Sequence, residues 1–426
     1  MRHLSWWLLL QVCVVAPSAA QTPALPQARL LEALQGNRLP VTMTQGRPAG
    51  AGWDWLVREA RDARFTLIGE EQGVAESPQL AAALFTALHE SGYSRVAIEL
   101  SPIIAQDVEA AARRSGRAGI EDFLTAPGTF TFYNLADDVQ FIADVVDAGP
   151  TGERVLWGFD REIFNDRYLI SRLEARVPPH ARPAFDRLNE ASINAQARNA
   201  RTGNPDDLFF LAEDPGLVSA LRAAWGTPDP ESDAIMRTIE ESLAVEAAER
   251  TGGAWPFMQR RAQWSRSNLV ALLNAGDGRG ESPKVLMRFG YSRMIRGPNY
   301  FNVFDIGSIA DEVAALTGDR AFHILVLAGP GSRRAVLGAG GRFESVSSDS
   351  VDDLRAGEQR LSRVLSSPDA GGHEVIDLRP LRGLAMRGLE SWNPDLIRTI
   401  HGFDAAVIWS GGHPSTAIRE TGPAPQ

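Results

Sequence analysis

Residues 65–73 read Phe-Thr-Leu-Ile-Gly-Glu-Glu-Gln-Gly, a short apolar run that stops on a carboxylate and a glycine-flanked turn. The run is continuous rather than alternating, as expected of a strand buried on both faces of a parallel sheet. Ser77 can cap the helix that follows, and Pro78 suits its first turn. Leu80, Leu84, Ala87 and Leu88 form its apolar stripe, it reaches about Glu90, and Gly92 stops it. A second apolar run then occupies residues 95–100. Strand, crossover helix and strand within roughly 35 residues make a βαβ unit. Similar runs recur at 155–160, 284–290, 322–329, 374–378 and 405–410. The fold expected is α/β: a central, mainly parallel sheet flanked by helices.

Residues 161–275 differ. They carry helical patterns broken by Pro and Gly and no strand pattern, so they read as a helical insertion between two sheet halves, 53–160 and 284–415. Residues 21–52 read as an N-terminal arm with a short helix, and 416–426 as a flexible tail. Residues 1–20 resemble a secretory signal peptide: a polar start at Arg2 and His3, an apolar stretch to Ala16, then Pro17, Ser18, Ala19 and Ala20 before Gln21. That apolar stretch is too short for a membrane span, and no later one is apolar enough. The expected location is periplasmic or secreted. Cys13, the only cysteine of the 426 residues, lies inside the signal, so thiolate chemistry and disulfides are excluded from the mature chain. A net charge of −10 without a basic run makes nucleic acid an unsuitable partner.

In parallel α/β sheets, ligands bind outside the carboxyl ends of the strands. Those ends carry Glu70 and Gln72, Glu99, Asp160, then Arg293 and Arg296 after the run 284–290, and His413 after the last run. Carboxylates at such positions are costly to bury unpaired. They could act as acid and base on a bound water, or hold a divalent metal; without histidine or cysteine, Mg, Ca or Mn would be favoured. An arginine could hold a carboxylate or a developing oxyanion. Structural readings stand beside these. Asp160 could cap a helix, Glu70 and Glu99 could pair with Arg293 or Arg296 in a buried network, Glu71 and Glu76 could be solvated or local caps, and His413 could be a turn residue. No Gly-x-Ser-x-Gly elbow, His-Glu-x-x-His helix, dinucleotide fingerprint or P-loop occurs.

At these residues the chain resembles the erythromycin esterase / ChaN / TraB–Tiki superfamily. Leu67-Ile68-Gly69-Glu70-Glu71-Gln72-Gly73 is similar to its Gly-Glu-x-His motif, Val96-Ala97-Ile98-Glu99 to its second strand, and Trp157-Gly158-Phe159-Asp160 to its third. The segment from Lys284 to Gly297, followed by residues 303–307, resembles the one that presents a later histidine. The resemblance implies an α/β sheet with a helical insertion. Members include esterases that use histidine, glutamates and an activated water, metal-dependent proteases and haem binders. Here the two motif histidines fall on Gln72 and Arg293. Glutamine is no base, and arginine neither accepts a proton nor binds metal. Two functions are therefore expected. One is a rewired hydrolase of an ester or amide, with Glu70 or Glu99 as base, Arg293 on the oxyanion and His413 as substitute imidazole. The other is a non-catalytic relative binding a small molecule, an anion among the candidates, held by Arg293 with a hydrogen bond from Gln72 and with Asp160 and Arg296 also contacting it. No cofactor is required by the sequence, and no axial haem ligand is evident.

Overall fold

The structure, a computed structural model, describes residues 27–275, 283–338, 342–348, 365–366, 372–387 and 394–418. The expected signal peptide, 1–20, lies outside the described residues, as does the tail beyond residue 418. In chain order the strands are β1 (Arg38–Thr44), β2 (Arg47–Ala49), β3 (Phe65–Glu70), β4 (Tyr93–Ile98), β5 (Leu156–Gly158), β6 (Lys284–Gly290), β7 (Ala321–Ala328), β8 (Arg333–Leu337), β9 (Phe343–Ser347), β10 (His373–Asp377) and β11 (Ala405–Trp409). Nine of them form one sheet in the order β2-β1-β10-β11-β7-β3-β6-β4-β5. Pairing is parallel from β11 to β5 and antiparallel from β2 to β11. The α/β class follows, with a mainly parallel sheet.

Continuous apolar runs are the central strands. Every residue of β3, β7 and β11 is buried. Successive side chains serve opposite faces. Ile68, Leu286 and Val326 join one core cluster, and Leu67, Met287 and Leu325 join the other. Helices Ala51–Arg61, Glu76–Leu88, Pro102–Leu124 and Ala136–Ala148 cover the first face. Helices Ile306–Leu316 and Pro394–Gly402 cover the second.

Four expectations change. The first βαβ pair does not lie side by side, because β6 returns from the long excursion to sit between β3 and β4. The chain thus reverses direction around β3, where a crevice opens beyond the strand ends. Residues 38–49 of the arm are not irregular but form β1 and β2, which extend the sheet past β10. Ser77 lies inside the helix Glu76–Leu88 without capping it, and its hydroxyl accepts from the Trp409 indole at 3.2 Å. The start of the tail is paired: Ala136 N–H donates to Thr416 O, and Ile418 N–H to Asn134 O.

Between β5 and β6 the described residues hold helices only, among them Asp166–Glu174, Arg182–Thr202, Pro230–Gly252 and Ala254–Ala275. The last of these delivers Arg261, Trp264 and Ser265 to the end of the sheet, where Trp264 and Ser265 donate to the Asp160 and Phe159 carbonyls. No helix among the described residues is long and apolar enough to cross a membrane.

Candidate functional site

Gly69 sets the site's geometry. A Cβ there would stand 2.9 Å from Tyr291 Cα and 3.0 Å from Met294 Cβ. Glycine thus lets the short helix Tyr291–Met294, which follows β6 directly, pack against the end of β3. That packing turns Arg293 inward, where it is 1% exposed.

Around Arg293 lies a saturated network. Its Nε contacts Asp305 at 3.4 Å, one terminal nitrogen meets Glu99 at 3.2 Å and Asp160 at 3.1 Å, and the other donates to the Ser265 hydroxyl. Arg261 adds a second guanidinium, bonding both oxygens of Asp160 and reaching Glu99 at 3.2 Å. Glu99 accepts four bonds: Arg261 and Arg293 on one oxygen, Gln72 Nε2 and Gly290 N–H, each at 2.9 Å, on the other. Asp160 is filled likewise by Arg261, Arg293 and the Arg161 N–H. A carboxylate offers about four lone-pair sites. Neither group retains one for a proton, a water or a metal. Burial alone would raise the Asp160 carboxyl, but Arg261 and Arg293 outweigh it and hold it well below the usual carboxylate range.

Glu70 belongs to a second, separate network. Arg288 stands across from Ile68 in the β3–β6 register. It grips Glu70 through Nε at 2.9 Å and a terminal nitrogen at 2.7 Å, and that same nitrogen meets Asp138 at 2.6 Å. Its guanidinium also lies 4.8 Å from the Phe141 ring. One cation thus serves two buried carboxylates. Burial pushes the Glu70 carboxyl up to about 7, aided by Asp138 and Glu99 and opposed by Arg288. Unlike Glu99, Glu70 keeps acceptor capacity toward the cleft.

The cleft itself has a volume of about 570 Å³. Glu70, Gln72, Glu99, Asp160, Arg261 and Arg293 line it, with Glu162 beside them. Six aromatic residues also line it: Phe130, Phe132 and Phe164 from one part of the sequence, Tyr291, Tyr300 and Phe301 from another. Phe164 meets Phe130 at 4.7 Å and Phe132 at 5.4 Å, edge to face, and Tyr291 meets Tyr300 at 5.4 Å. Phe132 and Phe301 remain 40% and 43% exposed. Burial without a cationic partner pushes the Glu162 carboxyl up to about 7; it accepts from the Ser101 N–H and the Asn165 amide.

Five residues singled out in the sequence, Glu70, Gln72, Glu99, Asp160 and Arg293, therefore meet in one cleft. Two others do not line it. The His413 side chain is 80% exposed and bonds Glu76 through Nδ1 at 2.8 Å. Arg296 pairs with Asp404 and Asp311. His413 thus supplies no imidazole to the cleft, and Arg296 no ligand contact. Every nitrogen of Arg293 already has a protein partner, and four of its five N–H bonds are accounted for by Asp305, Glu99, Asp160 and Ser265. Asp160 does not cap a helix. Glu71 and Glu76 are buried rather than solvated, Glu71 against Arg334 at 3.2 Å. Among the described residues, no group of three or more His, Cys, Asp or Glu side chains could hold a metal ion.

Sequence reasoning missed Arg288, Arg261, Asp138, Asp305 and Ser265. Arg288 left a signal: it is the one charge inside an otherwise apolar run. Asp305 left another, standing directly before the apolar helix Ile306–Leu316, whose Ile306 N–H it accepts at 2.7 Å. Arg261 and Ser265 left none.

No protein-family model and no curated protein sequence matches the chain. Solved structures do. A succinoglycan biosynthesis protein aligns over 92% of this chain and 99% of its own, with a TM-score of 0.60 and 14% identity. A protein from Bacillus cereus aligns over the same shares, with a TM-score of 0.57 and 14% identity. A histidine-to-asparagine mutant of the erythromycin esterase EreC, in its open conformation, aligns over 86% of this chain and 94% of its own, with a TM-score of 0.55 and 14% identity. These alignments cover most of the chain, and they show its fold: the chain has the fold of the erythromycin esterase-like proteins.

Proposed function

We propose that this protein binds a neutral, hydroxyl-rich small molecule in the cleft and releases it unchanged. One observation carries the reading. Arg293 stands where the related motif has a histidine and fills the acceptor sites of Glu99 and Asp160 together with Arg261. Hydrolysis needs a base with a free lone pair and a donor free for the oxyanion. At Glu99 and Asp160 this floor offers no uncommitted base, and every nitrogen of Arg293 is already engaged within the network. It does present carboxylate, amide and guanidinium edges beneath aromatic rings, the pattern of a pocket in which apolar faces hold a ring and a few polar groups orient it. The volume lies within the roughly 300–1,000 Å³ usual for small-molecule sites.

Two structural relatives bear names that involve succinoglycan and erythromycin, both large and rich in hydroxyls. That supports recognition of hydroxyl groups alone and assigns neither compound. The signal-like residues 1–20 support a periplasmic or secreted setting.

A second reading rests on Glu70. Its raised carboxyl and spare acceptor capacity suit a general base near neutral pH, hence a hydrolase reworked around one glutamate. An ester panel including macrolides and short acyl esters separates the two. The binding reading expects no turnover by the wild-type chain, with or without divalent metal. Wild-type turnover lost in Glu70→Gln would establish the hydrolase. Turnover gained only in Gln72→His/Arg293→His would show that the missing imidazoles alone silence the pocket.

A further inference from the structure

A second cavity of about 220 Å³ adjoins the cleft and shares Glu70, Gln72 and Phe132 with it. The hairpin β8–β9 covers it: Arg334, Ala335, Val336, Leu337 and Phe343 line it, facing Arg288 and Asp138. The first strand of the hairpin, β8, is tied to the loops beside the sheet. Ala335 N–H donates to Gly73 O and Arg333 N–H to Gly412 O, each at 2.9 Å. Phe343 stacks on Phe130 at 6.4 Å, so the aromatic lining of the cleft continues into the hairpin.

Two buried guanidiniums line this cavity, Arg288 at 2% exposure and Arg334 at 5%. Each keeps one unpartnered donor, a terminal nitrogen of Arg288 and Nε of Arg334. Buried donors in native proteins are ordinarily paired. Arg38, Arg64 and Arg154 also keep an unpartnered Nε, but none of them lines either cavity. Here two such donors belong to side chains that line one cavity large enough for a functional group.

Charge decides which group. Arg288 and Arg334 already face three carboxylates, Glu70, Asp138 and Glu71. A further anion would join two guanidiniums already matched by Asp138 and Glu71, with Glu70 beside them, and low-dielectric surroundings penalise such an uncompensated charge. A carbonyl or hydroxyl oxygen accepts the same N–H bonds without adding charge, and a hydroxyl can also donate to Glu70.

We propose that the cavity beneath the β8–β9 hairpin is an inner subsite that takes an uncharged oxygen acceptor, a carbonyl or hydroxyl, between Arg288 and Arg334. The subsite rests on the ligand-binding reading above and sharpens it: the ligand lays a ring against the aromatic lining and sends one neutral oxygen arm under the hairpin. It also reverses the sequence-based expectation of an anionic ligand.

The test uses two small probes that differ in charge, trifluoroacetamide and trifluoroacetate, titrated against the folded chain by fluorine NMR. Saturable binding of the amide is expected, at least about tenfold tighter than the acetate. Arg334→Lys keeps the cation beside Glu71 but removes Nε–H, and it should weaken amide binding about tenfold or more. Leu316→Ser, 85% exposed and lining neither cavity, should leave the amide titration unchanged. Preference for trifluoroacetate would overturn the neutral-acceptor claim. Amide binding unaffected by Arg334→Lys, or no amide binding at all, would overturn the subsite. Should Arg334→Lys fail to fold, a wild-type crystal soaked in trifluoroacetamide decides by whether the carbonyl lies between the two arginines. The ligand reading fails separately: glycosides would not bind the aromatic lining even where the amide does.

Discussion

Replacing Arg293 by methionine tests whether the floor of the cleft is a structural network. Methionine keeps the length and apolar stem of the side chain, so packing against Phe289, whose ring lies 5.2 Å from the guanidinium, is largely retained. The lost charge leaves the Asp305 carboxylate with the Ile306 N–H as its donor among the described residues and strips one donor each from Glu99, Asp160 and Ser265. Arg261 still serves Glu99 and Asp160, so the deficit falls mainly on Asp305. Removing one partner of a buried ion pair costs about 3–5 kcal/mol, because the other charge is left uncompensated. Against a typical total of about 5–15 kcal/mol, that is a large fraction. Urea unfolding at pH 7 should show a lowered midpoint with an unchanged slope. Asp305→Asn alone should also destabilise. The double variant should recover part of the loss, with a coupling of about 1–3 kcal/mol, since the orphaned charge is gone. A cost under about 1 kcal/mol for Arg293→Met, or strict additivity in the cycle, would refute the argument that Arg293 holds these carboxylates in place.

Further outcomes follow from the same geometry. Glu162 and Glu70 titrate near 7 in the folded chain against about 4.5 ordinarily. Between pH 5 and 7 the folded state therefore keeps protons that the unfolded chain has released. Stability should fall with rising pH by up to about 1.4 kcal/mol per unit for each group. Below about pH 4 the sign reverses, because Asp160 and Asp404 are held low when folded and lose that advantage on protonation; a melting temperature that climbs steadily from pH 5 to 7 would contradict this. Gly73→Ala should loosen the β8–β9 hairpin, since φ is +93° there and a Cβ would stand 2.0 Å from the Ala335 carbonyl; strain of about 1–3 kcal/mol is expected, read as faster amide exchange at Ala335. Gln72→His should stay within about 1 kcal/mol of wild type, because an imidazole N–H can replace the amide donor to Glu99. The same variant should hydrolyse no ester, since Glu99 and Asp160 remain saturated; turnover in the ester panel would show otherwise.

The central strands were legible because a strand buried on both faces must be apolar throughout, and β3, β7 and β11 are. The strand-end rule then located Glu70, Gln72, Glu99, Asp160 and Arg293 at one cleft, because side chains just beyond parallel strands share an edge whatever the strand order. Strand order itself was not legible. Nothing in residues 284–290 says that β6 inserts between β3 and β4, and that insertion is what gives Glu70 its partner in Arg288. Arg261 reaches Glu99 and Asp160 from the helix Ala254–Ala275, far along the chain, and on its own helix it looks like any other surface arginine. The roles assigned to Arg293 and His413 changed because residue type alone cannot show whether a donor is already taken. Every nitrogen of Arg293 proved to have a protein partner, and His413 lies outside the cleft beside Glu76.

The most direct measurement titrates the folded chain calorimetrically with erythromycin and with a neutral maltooligosaccharide, then identifies the recovered ligand by mass spectrometry. The account predicts saturable binding of at least one of them, loss of that binding in Phe164→Ala, and recovery of the ligand intact. A cleaved product whose formation stops in Glu70→Gln would contradict it, and would make the cleft the active site of a hydrolase built on a single glutamate.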